Sequence, residues 1–191
     1  METLPLLVAN GWASGISAYA VVLIAGLVGR AGWADTPAAF QRTDVLIAAA
    51  ILLAIELVVD KIPYLDSIWD TVHTVVRPLI AAVVGAAIAS HAHTPAQVIA
   101  AIGTAALAFL SHLAKAGIRL GVNASPEPLT NIGVSSTEDI TVVGVAALAW
   151  QHPWAAAAIA LVLLVLALTL AGYLVTRVRH GWRRLGQRLN R

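Results

Sequence analysis

The stretch that decides the fold class is Ile140–Thr176, which reads ITVVGVAALAWQHPWAAAAIALVLLVLALTLAGYLVT. Counted from 140 to 176, it runs for 37 positions without an Asp, Glu, Lys or Arg. A helix that crosses the hydrocarbon core of a bilayer needs roughly 20 apolar residues, so the stretch holds more than one membrane element. Gln151, His152 and Pro153 divide it into a short element at 140–150 and a long one at 154–176. The pattern predicts membrane helices rather than a soluble core.

The short element raises a question about its shape. Residues 140–150 would form a helix of only about 16 Å, whereas the hydrocarbon core is about 30 Å thick. Either the helix also recruits Ser135–Asp139, or it is a re-entrant half-helix. Ser135–Asp139 reads as an N-cap region, whose acids suit the positive end of a helix. The polar Asn10–Gly15 in the first segment raises the same issue, and we expect that segment to be broken or to start late.

The rest of the chain agrees with a membrane protein. Of 191 residues, 59% are hydrophobic and 12% charged, with a mean hydropathy of +0.82. A soluble domain is about 45–50% apolar and about 25% charged. Four further apolar runs lie at residues 4–29, 45–60, 68–89 and 95–120. We therefore predict an all-α, polytopic membrane helix bundle with about six hydrophobic segments, at least one of them broken or re-entrant. Because cysteine is absent, disulfides and thiolate sites are excluded.

Basic residues predict the orientation of the bundle. The tail at 177–191 holds six arginines and no acidic residue, so we expect it to be a cytoplasmic extension of a single membrane domain at 1–176. Counting back through six spans places the N-terminus in the cytoplasm too. Ten basic residues then lie toward the inside, and only Arg30 and Arg42 lie outside. Three spans in each half would allow an inverted repeat, for which Asn10-Gly11 and Asn131-Ile132-Gly133 give slight support.

Seven of the ten acidic residues fall in two places, and the first of these surrounds the end of the second segment. Glu56 and Asp60 are four residues apart and share a helix face. After Pro63, a polar stripe with spacings of four, three and four continues along the third segment through Asp66, Asp70, His73 and Arg77. Such a stripe has to face the bundle interior, a cavity or the cytoplasmic surface.

The second place is the fourth helix and the region that follows it. His112, Lys115, Arg119 and Asn123 have spacings of three, four and four, which makes this stripe basic where the first is acidic. The acids that follow are Glu127, Glu138 and Asp139. Both stripes lie at the predicted cytoplasmic ends of their helices. Opposite charges at equal depth are expected to meet.

Charged side chains inside a membrane are costly and usually mark a pathway or a ligand site. The carboxylates and imidazoles could hold a hard or borderline cation, although the sequence identifies no particular metal. Lys115 and Arg119 could instead bind a phosphate or carboxylate headgroup. The third interpretation is that the stripes neutralise each other and fasten the bundle. The candidate residues are Glu56, Asp60, Asp66, Asp70, His73, Arg77, His112, Lys115, Arg119, Asn123, Glu127, Glu138 and Asp139.

The motifs that these residues form resemble those of a known family. The chain contains Glu56-x3-Asp60-Lys61-Ile-Pro63-x2-Asp66-x2-Trp69-Asp70 and Arg77-Pro78. It also contains Lys115-Ala-Gly-Ile-Arg119-x3-Asn123-x-Ser125-Pro126-Glu127-Pro128 and Gly-Trp-Ala-Ser-Gly-Ile-Ser-Ala-Tyr near the start. The pattern is similar to that of bacterial membrane proteins grouped as domain of unknown function 4126. The resemblance covers roughly residues 8 to 175 and implies a multi-span membrane protein, without assigning an activity or a role to any residue.

We therefore expect a bacterial inner-membrane protein that acts as a small transporter or channel for an ion or solute. The alternatives are a binder or flippase of anionic lipid headgroups, and a membrane protein with a purely structural or assembly role. An enzyme is not expected, because no nucleophile and base can both be named. Neither a cofactor nor a nucleic-acid partner is expected. Membrane lipids are the expected surroundings, and a homodimer is compatible with six short spans.

Overall fold

The computed structural model describes residues 3–124 and 127–189, and these residues form a helical bundle without strands. The six helices are α1 Thr3–Arg30, α2 Thr43–Val59, α3 Leu65–Ile88, α4 Thr94–Asn123, α5 Pro128–Gln151 and α6 Pro153–Leu189, with a 3₁₀ turn at Ala38–Gln41 between α1 and α2. Five of them, α1 and α3 to α6, are long and apolar enough to cross a membrane. The predicted polytopic helical bundle is confirmed.

The first helix is broken at Ser17, whose φ of −148° and ψ of 99° are extended rather than helical. A straight helix of 28 residues would be about 42 Å long. Yet one cavity is lined by Thr3 and Leu6 from the start of α1 and by Asp35 and Thr36 from just beyond its end. The helix therefore folds back as a hairpin with its tip at Ser17. The prediction of a broken or re-entrant segment is confirmed for α1, whose arms are residues 3–16 and 18–30.

Small residues allow the arms of the hairpin to pack closely against their neighbours. The shared core contains Ala9, Ala13, Ala20, Ala146 and Ala149, all of them buried. A Cβ placed on Gly15 would lie 2.1 Å from the carbonyl oxygen of Ala108 on α4, and one on Gly26 would lie 2.2 Å from that of Phe40. Both glycines are therefore places where backbone contacts backbone, as is common where membrane helices meet.

The fifth helix corrects one part of the sequence analysis. It begins at Pro128 and has 24 residues, about 36 Å, so it includes Ser135–Asp139 and is long enough to cross the membrane. The re-entrant alternative for the fifth element is therefore wrong. Glu138 and Asp139 lie inside the helix rather than at its N-cap. The N-cap is Glu127, whose side chain makes no capping hydrogen bond. Likewise α6 continues to Leu189, well past the predicted end at Thr176.

The hairpin also determines at which end of the bundle the first helix begins and ends. Thr3, Asp35, His91 and Trp150 line one cavity at the same end of the bundle. From that end α6 runs past α4, where Ala171 and Leu174 face Gly117 and Gly121 near the end of that helix. The start of α1 and the residues after Thr176 thus lie at opposite ends. The sequence predicts a first segment that crosses the bundle, whereas the hairpin of α1 begins and ends at one end of it.

Candidate functional site

The two predicted stripes meet inside the bundle and form two clusters of charge. The first, which we call the Arg77 site, consists of Arg77, Glu56, Asp70 and His112. The guanidinium of Arg77 donates to Glu56 at 2.6 Å and to Asp70 at 3.0 Å. Its exposed fraction is 0%, and those of Glu56 and Asp70 are 1% and 3%. The pairing is possible because α2 brings Glu56 alongside α3, where Asp70 and Arg77 lie two turns apart on one face.

Hydrogen bonds determine the charge of His112 and hold His73 in place. A guanidinium can only donate, so Nδ1 of His112, at 2.7 Å from Nη1 of Arg77, accepts and carries no proton. Its Nε2 lies 3.0 Å from the carbonyl oxygen of Asp70, to which it donates. His73 donates through Nδ1 to the carbonyl oxygen of Trp69 at 2.8 Å, and its Nε2 lies 2.9 Å from the hydroxyl of Tyr19, which can donate or accept. His112 is therefore neutral.

The second cluster, which we call the Arg119 site, consists of Lys115, Arg119, Asp60, Asp66 and Glu138. Lys115 donates to Asp60 at 2.6 Å. Arg119 donates to Asp66 at 3.2 Å and to Glu138 at 2.7 Å. Four of the five side chains are almost completely buried, and Glu138 is 15% exposed. Glu138 belongs to α5, so this site joins α3, α4 and α5 to the residue that follows α2.

Two asparagines complete the hydrogen bonds of this second site. Asn123 donates to both carboxylate oxygens of Asp66, at 2.9 and 3.2 Å. Asn131, fully buried on α5, accepts from Arg119 at 3.1 Å. The sequence analysis included Asn123 among the candidates but did not include Asn131. The planar guanidinium of Arg119 is therefore surrounded by oxygen atoms, the arrangement that its fixed donors favour.

The tip of the hairpin in α1 lies against both clusters. A helix leaves its last carbonyl groups without partners inside the helix. Here the carbonyl oxygen of Gly15 accepts from Arg77 at 3.4 Å, and that of Ile16 accepts from Lys115 at 3.2 Å. Ser111 donates to the carbonyl oxygen of Trp12 at 2.8 Å. The negative end of the first arm therefore faces cations, as expected from its dipole.

Ser17 serves the second arm in the same way. Its hydroxyl oxygen accepts from the backbone N–H of Ala20 at 3.3 Å, which satisfies one of the free donors at the start of that arm. The same hydroxyl donates to the carboxylate of Glu56. The carboxylate of Glu56 thus lies at the positive end of the second arm. Ser17 and Tyr19 are not among the candidate residues, although both belong to the Gly-Trp-Ala-Ser-Gly-Ile-Ser-Ala-Tyr motif near the start of the chain.

The remaining candidates lie outside the two clusters. Lys61 pairs with Asp139 at 3.0 Å at the partly exposed edge of the Arg119 site. His73 lies beside the Arg77 site, stacked on Trp69 with ring centroids 4.3 Å apart. Glu127 is exposed at the start of α5, and the structure does not bring it to either cluster. Within residues 3–124 and 127–189, no three His, Asp or Glu side chains converge as metal ligands do.

A cavity of about 130 Å³ reaches the Arg119 site from the side. Lys115 of α4 and Glu138 of α5 contribute to its wall, together with Trp12 and Ile16 of the first arm and Leu163 of α6. The other side chains that line it are mostly apolar. Of the charged residues in the two clusters, Lys115 and Glu138 are the ones that line this cavity.

Comparison with known proteins gives one match. A family model described as "Domain of unknown function (DUF4126)" matches residues 4–172, which is most of the chain. No curated protein and no solved structure matches the chain.

Proposed function

Since the chain belongs to the DUF4126 family, whose description assigns no activity, we propose from the site itself that it is a membrane transporter for a small ion or solute. The Arg77 and Arg119 sites form the charged part of the pathway. The protein resides in the bacterial inner membrane, surrounded by lipid, with residues 177–191 in the cytoplasm and the start of α1 on the other side. Enzymatic catalysis is not part of its role.

The observation that carries this proposal is the hairpin in α1. Secondary transporters commonly bind substrates and coupling ions where discontinuous helices expose their ends near the middle of the membrane. Here two helix ends meet at Ser17 inside the bundle, one facing Arg77 and Lys115 and the other facing Glu56. A bundle that needed only to be rigid could use an unbroken helix, whose backbone groups satisfy each other.

The charges favour a cation or a proton over an anion. The two sites hold five carboxyl groups and three basic side chains, Arg77, Lys115 and Arg119, while His112 is neutral. An anionic lipid headgroup would have to compete with carboxylates for Lys115 and Arg119. The lipid-binding alternative therefore has less support than transport of a cation or a proton-coupled solute.

A structural role is the second candidate, and the closed ion pairs favour it. Each cation of the two sites already has a carboxylate within 3.2 Å. Such pairs could fasten α2, α3, α4 and α5 around the hairpin without any transport. The cavity that reaches Glu138 is the feature that a purely structural role leaves without a purpose.

The test uses the purified protein in phospholipid vesicles. Currents from vesicles on a solid support report charge movement, and light scattering reports the uptake of solutes from a panel of inorganic salts, amino acids and organic acids. We expect a signal above that of empty vesicles for at least one of them. Glu138→Gln should abolish it, because this side chain lines the cavity, whereas Asp44→Asn, at an exposed position, should leave it unchanged.

If the wild-type protein gives no signal over the whole panel while its helices are intact by circular dichroism, the transport proposal is wrong. If a signal appears but survives Glu138→Gln unchanged, transport does not pass the charged sites.

A further inference from the structure

Each of the two sites contains one more carboxyl group than cations. In the Arg77 site, Glu56 and Asp70 share one guanidinium. In the Arg119 site, Asp60, Asp66 and Glu138 share Lys115 and Arg119. The pair of Lys61 and Asp139 is balanced. An uncompensated charge is expensive in a buried environment, so a buried group is usually neutralised instead.

In the Arg77 site, Asp70 is the group that can be neutral. Both oxygens of Glu56 are occupied, one by Arg77 and the other by Ser17, which is what an ionised carboxylate needs. Asp70 uses Oδ1 to accept from Arg77, but its Oδ2 is buried and has no hydrogen-bond partner. His112, which faces the same carboxyl from α4, cannot supply the missing charge because its Nδ1 accepts from Arg77.

In the Arg119 site, Glu138 is the least buried of the three acids. Asp66 accepts hydrogen bonds from Arg119, from Asn123 and from the backbone N–H of Ser67. These donors stabilise its ionised form. Asp60 receives the shortest ion-pair contact in the site, 2.6 Å from Lys115, and its other oxygen, Oδ1, is buried without a hydrogen-bond partner. Glu138 accepts from Arg119 at 2.7 Å and lies 4.0 Å from Lys115, and it is the acid of this site that lines the cavity.

We propose that the two sites bind two protons, one on the buried Asp70 and one on Glu138 beside the cavity. In this proposal H⁺ is also the ion that drives transport. This rests on the proposed transport function only in its second part. The proton balance itself is a property of the resting protein. Loss of the proton from Glu138 would leave three carboxylates around Lys115 and Arg119, and the neighbouring helices would have to rearrange to accept the extra charge.

Infrared spectroscopy of the purified wild-type protein tests the proton balance without any transport assay. A protonated carboxyl has a C=O stretching band that ionised carboxylates lack. At neutral pH we expect such a band, reduced by Asp70→Asn and reduced again when Glu138→Gln is added. The exposed Asp44→Asn is the matched control and should leave the band unchanged.

A comparison of two variants gives a second, independent reading. Asp70→Asn resembles the protonated carboxyl, so the thermal unfolding temperature should stay close to that of the wild type. Glu56→Gln removes the charge that balances Arg77, so the unfolding temperature should fall clearly. Both are buried amide substitutions beside the same guanidinium, which makes each a control for the other.

Two results would overturn the assignment. If Glu56→Gln is tolerated and Asp70→Asn is not, the proton belongs to Glu56. If the band is absent, or is lost when Na⁺ or K⁺ is added, a metal cation rather than H⁺ balances the sites. Neither result depends on whether vesicles show transport, so failure of the proton assignment can be told apart from failure of the proposed function.

Discussion

The two halves of the bundle are stabilised in different ways although the same helices pass through both. Toward the end that holds Asp35 and Trp150, the arms of α1 pack through alanine and glycine, and the contacts are close and apolar. Around the tip of the hairpin, the same helices contribute arginine, lysine, aspartate and glutamate. The difference shows that charge is concentrated where the broken helix leaves backbone groups without partners, and that apolar packing stabilises the other half.

The largest effect is expected where the charged half loses its central cation. Arg77→Gln leaves Glu56 buried without a counterion and frees the carbonyl oxygen of Gly15. Breaking a buried pair in this way costs about 3–5 kcal/mol. Thermal unfolding in detergent, followed by circular dichroism, should show the loss.

The control for this prediction is the double variant Arg77→Gln with Glu56→Gln. It removes the pair as a unit, and replacing a whole buried pair costs far less than removing one partner. The double variant should therefore recover much of the stability. If it is as unstable as the single variant, the loss comes from packing rather than from charge.

The apolar half should respond to added volume. In Gly26→Ala the new Cβ would lie 2.2 Å from the carbonyl oxygen of Phe40, so the backbone has to move, at a cost of about 1–3 kcal/mol. Gly103→Ala on α4 is the matched control, because beyond the backbone of its own helix nothing lies within 4 Å of its new Cβ. Unfolding temperatures compare the two. Equal tolerance of both substitutions would show that the close packing of the hairpin does not matter.

A smaller effect is expected at the boundary between the halves. Ser17→Ala removes the hydrogen bond to the N–H of Ala20 and the one to Glu56. Loss of a capping hydroxyl costs about 1 kcal/mol. Amide hydrogen exchange should show faster opening at Ala20 and the residues after it, whereas Ser17→Thr, which keeps the hydroxyl, should protect them. Unchanged exchange in Ser17→Ala would mean that the second arm does not need this cap.

The smallest effect is expected at the exposed pair of Arg42 and Asp44, which lies outside both halves. The hydrogen bond from Arg42 lowers the pKa of Asp44 below its usual value. A carboxyl whose pKa is lowered by folding stabilises the folded protein at pH values above the ordinary pKa of aspartate. This contribution is lost as the pH falls through the lowered pKa. Asp44→Asn should leave the unfolding temperature at neutral pH unchanged within error, and added salt should remove any difference. A clear loss of stability would show that exposed charges matter as much as buried ones.

Much of the fold could be predicted from the sequence, because apolar length and helical spacing are local properties. The stripes that contain Asp70 and Arg119 were read from spacing alone. The length of α5 was not, since Glu138 and Asp139 looked like the end of a helix. Their charges are compatible with a membrane helix only because Arg119 and Lys61 come from elsewhere in the chain to pair with them.

The charge state of the site could not be predicted for a related reason. His73 and His112 were candidates for a metal site, but Tyr19 and Arg77 occupy their ring nitrogens. Nothing near either histidine in the sequence indicates these partners. The backbone carbonyl groups of Gly15 and Ile16 likewise cannot be predicted as partners from side-chain types. They nevertheless accept hydrogen bonds from Arg77 and Lys115.

The hairpin in α1 has a consequence for how the protein is made. Its carbonyl groups find their partners on Ser111 and Lys115, each 99 residues later in the chain. During synthesis α1 is therefore made before Ser111 and Lys115, the residues that bind the carbonyl groups at its tip. These contacts at the tip of the hairpin, together with the ion pair of Lys115 and Asp60, can form only after α4 has been synthesised.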